Sequence, residues 1–351
     1  MTRTFLSTSA NPFLRTALGR LALVLGLAGV ALAVTGFAWR TDADDAHDEG
    51  REAIRHFWAV YHGNNYAAIP QVQAELQHAV DRDPADPTLH ALLGAAHFWH
   101  IGEASRDPNQ KDPALAQDMP EPVDNFGKAL ELDYYTKHFI GYINDDHLPG
   151  YLGITTVHLG QMTNDPDLIA KGDQMLDFAV YEFPEFNTFN RWAAHNTDFK
   201  DSPTYQKALD SLWQGIDACI EGRIDREDPD LKPYLQLATF AGRKKACWWG
   251  GELAPYSFEG YMLNLGNGLV KAGQVQAARV VYHDAHYAAN YNTWPYRGVL
   301  EAIEASDLNA RAALYSDGDS TNDPPMGVPD RGCSYCHATV PERSGGAHQR
   351  Y

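Results

Sequence analysis

Beyond residue 50, apolar side chains recur every three or four positions, and clusters of Pro, Gly and Asp interrupt them at intervals. No apolar–polar alternation of the strand kind persists, so the pattern predicts a chain built of helices and their turns. The sharpest stretch runs from Ser257 to Ala289. Phe258, Tyr261, Met262, Leu265 and Leu269 form one stripe, Gly273 breaks it, and Val275, Ala278, Tyr282, Ala285 and Ala289 form the next. This spacing predicts two helices of about four turns folded back on each other as an antiparallel hairpin.

Within that hairpin Leu265-Gly266, Leu269, Gly273, Ala278, Tyr282 and Ala285 fall at the spacing of a tetratricopeptide repeat, which the stretch resembles. Other segments match in part. "LLGAAHFWHIG" holds Leu93-Gly94, "NFGKALELD" holds Phe126 and Ala129, and "ELQHAVDRDP" holds Leu76, Ala79 and Pro84. "YLGITTVHLG" brings Leu152-Gly153 and Gly160, followed by Leu176, Ala179 and Pro184. The resemblance covers roughly residues 50–310 and implies an all-α, tetratricopeptide-like α-solenoid of stacked hairpins, each burying a face its neighbour covers. Variable insertions and the aromatic passage from Lys232 to Tyr256 depart from the repeat.

Charge divides the chain. Residues 1–40 hold four basic residues and no acid, whereas the remainder holds 24 basic against 46 acidic residues, a net charge of −22. Such a body repels nucleic acid and favours basic protein partners. "LALVLGLAGVALAVTGFAW", residues 21–39, is uncharged and follows an Arg-bearing leader. It reads as a signal peptide with a site near Ala31-Leu32-Ala33, or as a retained membrane anchor, and both place the body outside the cytoplasm, in the periplasm, with the anchored form held in the inner membrane. The domains expected are this N-terminal segment (1–40), an acidic linker (41–50), a helical-repeat domain (51–315) and an irregular tail (316–351).

The tail carries the candidate chemistry. "CSYCH" places Cys333, Cys336 and His337 at the Cys-x-x-Cys-His spacing of c-type cytochromes, and the resemblance to them covers this motif alone. It implies one covalent haem c, with Cys333 and Cys336 bonded to the ring and His337 the proximal iron ligand. Met326 and His348 are the candidates for a sixth ligand, and the pairs His97/His100 and His283/His286 compete with them, though each reads more simply as packing or surface histidine. Pro324, Pro325 and Pro329 exclude a continuous helix leading into the motif. The eighteen residues from Tyr315 to Cys333 reach roughly 60 Å when extended, so the helical body, rather than the tail, is expected to wall the haem. Of the four cysteines, Cys219 and Cys247 remain for a disulfide.

The function expected is electron transfer by an exported monohaem protein with basic redox partners, self-association remaining open. Two rivals stand beside it. One is a tetratricopeptide-type scaffold or chaperone of the cytochrome maturation kind; the other is a five-coordinate haem sensor or peroxidase. No phosphate-binding loop, nucleophile elbow or His-Glu-x-x-His motif is present to suggest another enzyme.

Overall fold

The structure is a computed structural model describing residues 47–63, 65–104, 118–136, 147–235, 254–319, 322–324 and 333–337. The chain divides at Gly50, and the larger unit, residues 50–351, is the one described below. Its helices in chain order are α1 (residues 47–62), α2 (Ile69–Arg82), α3 (Pro87–Ala104), α4 (Pro120–Thr136), α5 (Leu148–Thr163), α6 (Pro166–Glu182) and α7 (Pro184–His195). Then come α8 (Pro203–Ile220), the four-residue α9 (Lys232–Leu235), α10 (Ser257–Lys271), α11 (Val275–Asp284), α12 (Arg297–Glu304), α13 (Leu308–Leu314) and α14 (Cys333–His337). No strand occurs among the described residues.

Local chemistry sets many of the boundaries. Proline occupies the first turn of α2, α5, α6, α7 and α8, where its missing N–H has no intrahelical partner to lose. Asp165, Ser202 and Asp307 cap α6, α8 and α13 by accepting hydrogen bonds from first-turn amides. Asn164 and Glu221 end α5 and α8 in the left-handed region.

Successive helices pair: α2 with α3, α3 with α4, α5 with α6, α7 with α8, and α10 with α11. The hairpin expected from Ser257 onward forms, with Gly273 at φ 80° in its turn. A Cβ on Gly266 would stand 2.2 Å from the Tyr282 ring, so the small residue of one helix receives the large residue of the next. The second helix is shorter than its stripe predicts. It ends at Asp284 and tightens into a 3-10 turn, Ala285–Tyr287, before reaching Ala289. The partial matches pair as well. Gly94 of α3 lies against Phe126 of α4, and Gly153 of α5 lies against Leu176 of α6.

Among the described residues the apolar side chains gather in two large cores and a small third one of Ile154, Val157, Leu176 and Ala194. One large core gathers Phe57, Leu76, Leu92, Trp99 and Phe126 from α1 to α5; the other gathers Trp192, Leu212, Met262, Leu269 and Tyr282 from α7 onward, and includes Tyr335 of α14. The described residues thus form an all-α protein of paired helices, consistent with a helical-repeat-like fold. Among the described residues no helix is long and apolar enough to cross a membrane, and the apolar segment 21–39 lies outside them.

Candidate functional site

The motif expected in an irregular tail is itself one turn of helix, α14, and it rests on α10. The Tyr256 N–H donates to the Cys336 carbonyl at 3.1 Å, and the Cys336 Sγ lies 3.9 Å from the Ser257 carbonyl oxygen. Gly260, one turn further along α10, makes room. A Cβ there would stand 2.5 Å from the Cys336 Sγ, closer than real atoms approach. Glycine inside a helix costs roughly 0.5–1 kcal/mol relative to alanine; here it admits a second helix at close range.

Tyr335 anchors the turn. It is 1% exposed, its ring meets Tyr296 edge-on at 4.8 Å, and its carbonyl accepts a hydrogen bond from the Trp294 Nε1–H at 2.8 Å. Both indole and carbonyl are buried, and breaking such a bond leaves a buried polar group whose desolvation costs about 1–3 kcal/mol. The Tyr256 hydroxyl donates to the Thr293 carbonyl at 2.9 Å, tying the same loop to the start of α10.

His337 brings the motif beside α1. Its ring lies 5.1 Å from that of Tyr61 on α1. Tyr61 in turn stacks on Phe57 at 5.5 Å and meets Trp99 of α3 edge-on at 4.7 Å, while Tyr66 packs on Trp99 at 5.5 Å. An aromatic wall from α1 and α3 thus stands beside the imidazole. His62, the next residue after Tyr61, is also buried and lies 5.4 Å from the Trp58 ring.

The chain matches no family model, no curated protein and no solved structure.

Cys336 is half-buried. Cys219 is buried and disulfide-bonded, while Cys247, the partner expected for it, lies outside the described residues. Met326 and His348 lie outside them too. Other groups take up the competing histidines: Gln73 Nε2 approaches His97 at 3.1 Å, and Asp118 lies 3.3 Å from His100. Burial depresses the His97 pKa below the ordinary range despite the nearby Glu121 and Asp118. His283 is exposed and His286 half-buried, as their positions on the helix predict.

A groove of about 650 Å³ lined by Trp213, Arg226 and Gln274 shares no residue with the motif's contacts. Sequence reasoning missed Gly260, Trp294 and Tyr61 as the motif's seat. Nothing local marks them, because each acts across 41 or more residues of chain.

Proposed function

We propose that this protein is an exported c-type cytochrome that carries one covalent haem on Cys333, Cys336 and His337 and passes single electrons to and from protein partners. The observation that carries the reading is the seat of the motif: its turn is clamped on α10 at Gly260 and by Trp294, and His337 faces the Tyr61–Trp99 wall. A motif of accidental spacing in a loose tail has no reason to bury Tyr335 or to need a glycine opposite its second cysteine.

The residues fit the group. One helical turn separates positions 333 and 336, the separation at which two thiols add across the two vinyl groups of one porphyrin, each S–H bond giving way to a thioether S–C bond. His337, next in the helix, supplies an imidazole nitrogen for the iron, and the aromatic wall offers an apolar surface to the ring edge. When bound, haem supplies a reversible ferric–ferrous couple. The chain's part is to hold the imidazole, exclude water with Tyr61, Trp99 and Tyr66, and present an acidic body that steers basic redox partners with a salt-sensitive on-rate. The membrane anchor, the periplasmic location and the Cys219–Cys247 bridge belong to the same proposal.

The test is a pyridine haemochrome spectrum of protein produced with the cytochrome c maturation machinery. The wild type is expected to carry one thioether-linked haem per chain that survives acid–acetone extraction. Cys333→Ala/Cys336→Ala is expected to lose it. Wild-type protein that emerges properly exported and without covalent haem overturns the reading.

A further inference from the structure

Away from the motif, three side chains converge in a way that the electron-transfer reading does not use. His283 lies in the last turn of α11, His286 lies in the 3-10 turn Ala285–Tyr287, and Glu304 is the last residue of α12. Their nearest ligand atoms all lie within 4.8 Å of one another. We propose that His283, His286 and Glu304 form a binding site for one divalent transition-metal ion of the zinc and copper class.

The donor set has the right chemistry. Two imidazoles and a carboxylate are the three-ligand combination of open zinc sites, where a fourth position is left to water or another donor. Imidazole nitrogen also suits copper(II), which exceeds zinc in the affinity order for N and O ligands, whereas magnesium and calcium prefer all-oxygen sets. The spacing suits it too. Donor atoms at zinc–ligand distances around a tetrahedral ion stand about 3.4 Å apart. The His286 Nε2 and Glu304 Oε2 are 2.7 Å apart and the full set lies within 4.8 Å, so shifts of about an ångström close the triangle. Such shifts are available, because His283 is exposed and the other two side chains are half-buried.

The surroundings orient the ligands. The His286 ring stacks on Tyr291 at 4.3 Å, and the Tyr291 hydroxyl lies 3.3 Å from His286 Nε2 and 3.4 Å from Glu301 Oε1. Glu301 stands one turn before Glu304 and adds a second negative charge nearby, paired with Arg297 at 3.3 Å. The Tyr287 hydroxyl lies 3.2 Å from His283 Nε2, and Lys232 sits over the Tyr287 ring at 4.5 Å. Lys232 and Arg297 are the positive charges named here that work against a cation. The simpler alternative is a His286–Glu304 ion pair with a histidine beside it, which accounts for the 2.7 Å contact but gives His283 no part.

That difference sets the experiment: zinc chloride titrated into the full-length protein, read by calorimetry and by thermal melting. The wild type is expected to bind one zinc more per chain than His283→Ala/His286→Ala, with a melting temperature that rises with zinc only when the site is intact. Glu304→Gln is expected to weaken that extra site by about tenfold or more. His283→Asn, at an exposed position, keeps the fold and the His286–Glu304 pair yet is expected to lose the zinc-dependent shift. Equal zinc uptake by the wild type and the double variant, or an undiminished shift in His283→Asn, overturns the proposal. The site shares no ligand with the haem motif, so Cys333→Ala/Cys336→Ala is expected to bind zinc like the wild type.

Discussion

His195, at the end of α7, and Glu259, in the first turn of α10, are each 2% exposed, and each keeps a proton well above its ordinary range. The causes are opposite. Burial disfavours the His195 charge, but Asp173 and Asp198, each 2.8 Å from a ring nitrogen, outweigh it with hydrogen bonds and charge and raise the pKa to about 9. Glu259 is raised to about 8 by burial itself, and its Oε1 has no hydrogen-bond partner among the described residues. The first region is knit: Asp173 comes from α6, Asp198 from beyond α7, and Asp198 also accepts a hydrogen bond from Thr204 at 2.5 Å. The second region tolerates a buried acid with one unsatisfied oxygen, one residue from the glycine against which the Cys-x-x-Cys-His turn packs. A packed helical body thus contains one polar cluster that holds it together and one buried acid that stability alone does not explain.

Substitution at Glu259 gives the largest expected effect and the most direct way to break the contrast. A carboxyl group with folded pKa above its unfolded value costs nothing while both states are protonated. The cost begins as pH rises through the unfolded value and is complete above the folded one, so it grows between about 4.5 and about 8. Glu259→Gln removes the charge and keeps the shape. It is expected to melt like the wild type near pH 4 and to be more stable by about 4 kcal/mol at pH 9, read from denaturant titrations at the two pH values. A variant less stable than the wild type at pH 9 would show that Glu259 is partnered after all.

His195→Gln comes next, with the opposite sign. A histidine whose folded pKa is raised contributes stability that is fully present below the unfolded value and is lost as pH rises through the folded one, here from about 6.5 to about 9. The variant is expected to lose about 3 kcal/mol at pH 6 and progressively less toward pH 10. Asp284, raised by burial from 3.8 to about 7 while it accepts the Leu231 N–H at 2.8 Å, lowers wild-type stability as pH rises through that window, the same direction as Glu259. A penalty at His195 that is flat with pH would mean that packing, rather than the two aspartates, makes the residue important.

The two regions also differ in how far the sequence foretold them. The hairpins were legible, because stripe spacing and glycines are local signals: Gly266 meets Tyr282 and Gly153 meets Leu176 where the repeat pattern places them. The Cys-x-x-Cys-His motif was legible as three residues of fixed spacing. Its seat was not, since Tyr61, Gly260 and Trp294 converge on it from distant turns. The aspartates around His195 were hidden for a related reason. Asp173 lies 22 positions away on another helix, and its sequence surroundings match those of any solvated acid. The proposed metal-binding triad shows the intermediate case: His283 and His286 stand out at i, i+3, but Glu304 joins them only through the path of the chain between α11 and α12.

The smallest expected effect on overall stability belongs to Gly260, and it sharpens the comparison by separating docking from folding. Gly260→Ala gains about 0.5–1 kcal/mol of helix preference and loses a similar amount by crowding Cys336, so global unfolding should move by less than about 1 kcal/mol. The motif turn should nonetheless lift from α10. In protein that has not received haem, the Cys336 thiol is then expected to react faster with iodoacetamide than in the wild type, while Gly127→Ala, whose added methyl group meets open space on α4, leaves the rate unchanged. Unchanged alkylation in Gly260→Ala would mean that the glycine is incidental to the seat, and Trp294 with Tyr335 would have to hold the motif alone.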